Sequence, residues 1–157
     1  MSVIEIKNLV RDYGGGKGVF DISFHVNQGE AFGFLGPNGA GKTTTIRHLM
    51  GFLKPKSGTC AIDGMDCWTE RDKVQARLGY IPGEISFFDD MSGAEFLKFI
   101  TDYRKIGPQS RKEELLERFE LDPRGKIKKM SKGMKQKLGI VAAFMHDPDI
   151  LILDEPT

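Results

Sequence analysis

Cysteine is scarce in this chain of 157 residues: only Cys60 and Cys67 occur, with no spacing that pairs them with other metal ligands. That excludes a disulfide framework or a zinc module, fits a reducing setting, and leaves both thiols to be read as structural. Charge of one sign is missing as well. The 23 basic and 22 acidic residues leave a formal +1, so no global field points to nucleic acid or to an anionic membrane, and no nucleic acid partner is expected. Long apolar runs are absent: the longest, Ile140 to Met145, falls far short of the roughly 20 residues of a membrane-spanning helix. Repeats and low-complexity segments are absent too. Such a length holds one domain with a real core.

Glycine, in contrast, is concentrated. Residues 36 to 44 read GPNGAGKTT, that is Gly36, Pro37, Asn38, Gly39, Ala40, Gly41, Lys42, Thr43 and Thr44. Glycine costs folding entropy, so three within nine positions mark a place where backbone approaches something closely. The flanks supply a context. AFGFL at 31 to 35 is a continuous apolar run, as a buried parallel strand should be. TTTIRHLMGFL carries Ile46, Leu49, Met50 and Leu53 at helical spacing. Strand, glycine loop and helix with G-x-x-x-x-G-K-[ST] make a phosphate loop: successive N–H groups curl around a phosphate and the helix aims its positive end at it. Lys42 is expected to reach the β- and γ-phosphates and Thr43 to offer its hydroxyl to Mg²⁺, while Gly39 and Gly41 permit an approach that a Cβ would block.

The pattern of the remaining chain predicts an α/β architecture. Residues 1–30 read as mainly antiparallel β, with VIEI at 3 to 6 and Phe20, Ile22, Phe24 and Val26 alternating with polar neighbours, and with DYGGGKG at 12 to 18 as a loop. Residues 31–82 read as the phosphate-loop core. Residues 83–145 read as mostly helical, because Ser92 and Ser110 each precede a glutamate by three positions, the capping-box pattern. Residues 146–157 place a buried strand, ILIL, before Asp154 and Glu155. An acid at the C-terminal edge of a parallel strand sits where such sheets bind ligands, so Asp154 is a candidate for Mg²⁺ and Glu155 for polarising the attacking water.

Together these motifs resemble the ATP-binding subunit of an ABC transporter, from its N-terminus through the Walker B strand. The resemblance implies a P-loop ABC ATPase fold with ATP and Mg²⁺ as cofactors. It assigns MSKGMKQ at 130 to 136 to the signature that binds, in trans, the nucleotide of a second copy. Ser131, Lys132, Gly133 and Met134 carry that role, with Ser131 as N-cap beside a helix-terminus anion site. Lys132 stands where glycine is usual and Met134 where glutamine is. Tyr13 matches the aromatic on which adenine stacks. At the Q-loop position the chain has Gly83 and Glu84 instead of glutamine; either Glu84 takes over metal or water contact, or the loop only couples to a membrane subunit. The PGE and KGMKQ stretches point to bacterial exporters of the drug and ABC-2 kind.

The resemblance further implies a head-to-tail dimer, an integral membrane permease as partner, and a cytoplasmic location at the inner face of the cell membrane. Phe87 and Phe88 read equally as interface anchors for that permease or as residues buried against the helical region. His25, His48 and His146 read as surface or packing residues. A DNA-maintenance ATPase of the same type is disfavoured because no sustained heptads separate Lys42 from Ser131. The other alternative is a module that binds nucleotide and hydrolyses nothing. The family's D-loop and switch-histidine strand have no counterpart before Thr157. The sequence is therefore expected to be part of a longer polypeptide or a truncated product, with little or no ATPase activity alone.

Overall fold

The computed structural model describes residues 1–88, 90–108 and 110–154. They form two compact units, Met1–Ala76 and Arg77–Thr157. The first is built on strands β1 (Ser2–Gly14), β2 (Lys17–Asn27), β3 (Ser57–Ile62) and β4 (Met65–Asp66), all antiparallel, in the order β2-β1-β3-β4. The stretch 12–18, expected as a loop, is instead the end of the β1/β2 hairpin. Gly15 and Gly16 have φ of 61° and 76°, the paired positive values of a two-residue turn whose twist matches that of the strands.

Helix α1 (Lys42–Leu49) packs on β2 and β3, burying Ile46 and Leu49, with Met50 at its C-cap, as the helical spacing predicts. Ile4, Ile6, Leu9, Val19, Cys60 and Ile62 are buried in the same unit. Phe20 was expected on the inner face and is 49% exposed. Two left-handed residues cause the switch: Asp21 (φ 54°) faces Asn8 (φ 47°), and the Asn8 side-chain amide donates to its carboxylate at 2.7 Å. The strand's phase changes there, so Val19 turns inward in place of Phe20.

Residues 31–35 depart from expectation more sharply. They form no strand, and Leu35 is 93% exposed. An apolar run becomes a buried parallel strand only where other strands complete its hydrogen-bond ladder and layers cover both faces. Within this unit the run has neither, and its shelter is aromatic: Phe32 stacks on Phe24 with centroids 4.9 Å apart and Phe34 lies 5.4 Å from the same ring.

The second unit holds strands β5 (Leu78–Ile81) and β6 (Ile150–Leu153), paired in parallel with Leu78 opposite Ile150 and Ile81 opposite Leu153. A connection of helices joins them, as parallel pairing requires: α3 (Gly93–Arg104), α4 (Lys112–Arg118), a 3₁₀ turn at Ile127–Lys129, and α5 (Lys132–Phe144). Helix α2 (Arg71–Arg77) precedes β5. Leu97, Leu115, Ile127, Leu138, Val141 and Met145 form the helical core. The capping box at Ser92 is present: its hydroxyl accepts from the Glu95 N–H at 3.1 Å, and the Glu95 carboxylate accepts from the Ser92 N–H at 2.6 Å. The box expected at Ser110 is not formed. Helix α4 starts one residue later with Arg111 at its N-cap, whose N–H is held by the Met145 carbonyl at 2.9 Å. Strand β6 was expected to be buried on both faces, yet Leu151 and Leu153 are exposed and Ile152 is buried, because only one face of the two-stranded sheet is covered within the unit.

Two histidines are packing residues of consequence. His146 donates through Nε2 to the Leu78 carbonyl at 3.0 Å, with the Arg104 guanidinium 3.2 Å from the same nitrogen, and its buried Nδ1 has no partner among the described residues. Burial, and then the Arg104 charge, hold its pKa below the ordinary 6.5. In His48, Nδ1 donates to the Thr44 carbonyl at 2.8 Å, the buried Nε2 has no partner among the described residues, and burial again lowers the pKa. A depressed folded-state pKa means that the unfolded chain takes up protons first. The stability from neutral histidine is therefore fully present above about pH 6.5 and is lost as pH falls below it. Thermal melts should be flat from pH 8 to about 6.5 and decline toward pH 5.5. His146→Gln should flatten part of that decline; an unchanged slope in this variant would remove His146 from the cause.

Candidate functional site

The nine-residue loop lies in the first unit, where two glycines set its curvature. Gly39 has φ 85° and Gly41, the residue before α1, has φ 90°. The fold itself crowds only the second. A Cβ on Gly41 would stand 2.4 Å from Val19 Cγ1 and 3.0 Å from the Gly18 carbonyl oxygen, whereas one on Gly39 meets nothing within 4 Å. Glycine is needed at 39 for its dihedral and at 41 for both dihedral and space.

The first turn of α1 follows at once. Its leading N–H groups have no helical acceptor, as at every helix start, and they point back over the loop. The i to i−4 ladder begins with Thr45, whose N–H and hydroxyl both donate to the Gly41 carbonyl, at 2.8 and 2.9 Å. Lys42 curls over its own loop: its ammonium donates to the carbonyls of Gly36 and of Pro37, the latter at 3.1 Å. A cation is thus held over the loop that leads into the start of α1. Such a site is built for an anion with several oxygens.

Tyr13 reaches this neighbourhood through the hairpin. Its neighbour Asp12 pairs with Gly18, and Arg11 with Val19, and those two partners are the residues against which Gly41 sits. The Tyr13 ring is 52% exposed, with the Arg11 guanidinium 5.4 Å from its centroid. This contact was not expected from the sequence, although residues two apart on a strand share a face.

The second unit gathers another set. Asp154 follows β6 and is 7% exposed, and its N–H donates to the Ile81 carbonyl at 2.9 Å. Parallel pairing of β5 with β6 therefore brings the carboxylate-bearing strand end beside Pro82, Gly83 and Glu84, which leave the same edge; Gly83 and Glu84 are exposed. Ile85 then packs on α5, where a Cβ at Gly139 would meet its Cδ1 at 2.4 Å. Glu155 lies outside the described residues. Ser131 caps α5 as expected, its hydroxyl accepting the Met134 N–H at 3.2 Å, and Ser131, Lys132, Gly133 and Met134 are all exposed at that helix start. Of the two phenylalanines left open, Phe87 packs edge-on to Phe96 against the helical core, and Phe88 is exposed beside Phe99. Among the described residues no cluster of three or more His, Cys, Asp or Glu is placed to hold a metal, and no helix is long and apolar enough to cross a membrane.

Residues 19–157 match the family model described as ABC transporter. The bacitracin transport ATP-binding protein BcrA of Bacillus licheniformis is 39% identical over 158 aligned residues, covering 99% of this chain and 52% of that protein. The probable multidrug ABC transporter ATP-binding protein YbhF of Escherichia coli is 34% identical, covering 99% of this chain and 28% of its own length. Among solved structures, an ATP-binding subunit of an ABC transporter superposes with a TM-score of 0.88 at 31% identity, over 98% of this chain and 66% of that one. A bacterial Atm1-family ABC exporter with ATP bound gives 0.84 at 25% identity, over 98% and 29%. The chain spans about half the length of BcrA and of a similarly matched Bacillus subtilis relative, YhcH.

Proposed function

This chain belongs to the ABC transporter family of ATP-binding domains, and from that premise we propose that it binds and hydrolyses ATP to power a separate membrane permease, as part of an exporter. The observation that carries the reading is the loop from Gly36 to Thr44: a cationic ammonium folded over a glycine loop at a helix start, seated by Gly41 against the hairpin that bears Tyr13. In this reading Tyr13 stacks on the adenine, and Lys42 with the loop amides grips the phosphates. The Thr43 hydroxyl and the Asp154 carboxylate are hard oxygen donors, the chemistry that suits Mg²⁺, which would neutralise phosphate charge when bound. Ser131, Lys132, Gly133 and Met134 are proposed to meet the nucleotide of a second copy in a head-to-tail pair. Gly83 and Glu84 are proposed to contact water or to couple to the permease at the inner face of the cell membrane. The drug-exporter character rests on relatives named for bacitracin and multidrug transport.

Hydrolysis is assigned to Glu155, which orients and deprotonates the attacking water. In the full-length protein, Glu155→Gln should leave ATP affinity within about twofold while lowering turnover by roughly 10²–10⁴, the usual contribution of a general base. It should also accumulate an ATP-dependent dimer, seen by light scattering. Turnover at the parent rate would refute the base assignment. ATP binding with no turnover in either protein would favour the alternative, a nucleotide-binding module without hydrolysis. Low turnover is proposed for residues 1–157 alone, because the run leading into the phosphate loop at 31–35 has no strand partner.

A further inference from the structure

Cys60 and Cys67 take no part in the nucleotide site, yet their placement is specific. Strand β3 pairs with β4 through Ala61 opposite Asp66 and Ile62 opposite Met65, around a turn whose central residues Asp63 and Gly64 have φ of 48° and 76°. One further step of that register sets Cys60 opposite Cys67, and the Cys67 N–H donates to the Cys60 carbonyl at 2.9 Å. Directly opposed residues of an antiparallel pair project to the same face and hold their Cα atoms about 4.5–5.5 Å apart, inside the roughly 4.4–6.8 Å span of disulfides. Both side chains are buried, 2% and 1% exposed, and both are free thiols. Burial pushes each up to about 12, and at Cys67 the neighbouring Cys60 adds to the shift.

We propose that Cys60 and Cys67 are a reversible intramolecular disulfide site, closed by a small disulfide oxidant of the glutathione type. The thiolate of one cysteine attacks the oxidant's S–S bond, forming a mixed disulfide and releasing one glutathione thiolate, which takes a proton. The second cysteine, as thiolate, attacks the protein sulfur of that mixed disulfide and expels the other glutathione. Two electrons pass from the protein to the oxidant, and two protons end on the two glutathione thiols. Access comes from the β4 side: this strand is two residues long at the edge of its sheet, the kind of element that opens locally at low free energy, and Cys67 follows it directly. The product is a cross-strand link, a constrained geometry of the kind that reducing dithiols reopen readily. It also anchors a segment that matters for α1, since a Cβ at Gly51, just past the helix, would stand 2.5 Å from the Cys67 carbonyl oxygen.

The test treats the full chain with glutathione disulfide and counts thiols after unfolding in denaturant. Titratable thiols should fall from two to none, with the mass lowered by two hydrogens, a peptide map joining Cys60 to Cys67, and full reversal by dithiothreitol. Cys60→Ser should retain glutathione as a stable mixed disulfide on Cys67, as should Cys67→Ser on Cys60. If either variant fails to fold, the peptide map of the parent chain decides alone. Two glutathione adducts per chain, disulfide-linked dimers, or survival of both thiols even under mild denaturant would overturn the proposal. None of these readouts involves nucleotide, so their failure is separate from any failure of the ATP reading.

Discussion

Replacing Lys42 by alanine should weaken ATP binding by about 100-fold while leaving thermal stability nearly unchanged. In the free fold the ammonium is satisfied by two neutral carbonyls, those of Gly36 and Pro37. With ATP bound it would exchange them for phosphate oxygens, and hydrogen bonds between charged groups contribute about 1.5–3 kcal/mol each. Two such contacts, less the ammonium–carbonyl bonds surrendered, leave about 3 kcal/mol, which is roughly two powers of ten in affinity. The bonds lost from the free fold lie at the surface, so the melting temperature should move little. Titration calorimetry on the parent and the variant, with ATP and with adenosine, measures this. The loss should appear with ATP and vanish with adenosine, which lacks phosphates. Equal weakening of both ligands would mean that the substitution deformed the loop, and an unchanged ATP affinity would make the motif a turn without a ligand.

Gly79→Ala should be the most damaging single methyl in the second unit. A Cβ there would stand 2.5 Å from the Ala143 carbonyl oxygen, 2.7 Å from Leu151 Cδ2 and 2.9 Å from Pro148 Cγ. A leucine methyl can rotate away, but the carbonyl is backbone at the end of α5 and the proline is a ring, so the strand itself must shift. Overpacking of this kind typically costs about 1–3 kcal/mol, and the fixed backbone partner places this site at the upper end. For a chain of this size 3 kcal/mol corresponds to a melting temperature lower by roughly 6–12 °C. The shift would also loosen the pairing of Gly79 with Leu151 and, two residues on, of Ile81 with Leu153, the register that carries Asp154 to its place. Gly107→Ala is the control, since a Cβ at Gly107 meets nothing within 4 Å; it should melt within about 1 °C of the parent. Equal melting of the two variants would show that β5 has slack that the packing does not suggest.

The sequence by itself determined the features that short-range chemistry writes. Gly36 to Thr44 carry the phosphate-loop pattern because dihedral freedom, a helix start and a lysine must follow one another in order, and order along the chain is what a sequence records. The Ser92 and Ser131 caps were legible for the same reason, each needing only a hydroxyl and the next turn of N–H groups. The family, too, followed from local motifs. Tertiary structure decided what depends on partners distant in sequence. Ser110 has the capping pattern of Ser92, but the Met145 carbonyl holds the Arg111 N–H and moves the helix start. Residues 31–35 and Leu151 have strand composition in equal measure. Only the second finds a ladder in β5, since strand pairing is a property of two segments and apolar character a property of one. The seating of Gly41 against Gly18 and Val19, in the hairpin that bears Tyr13, belongs to the same class. It follows from a hairpin register shifted by left-handed residues, and register is fixed by which side chains the assembled core can bury.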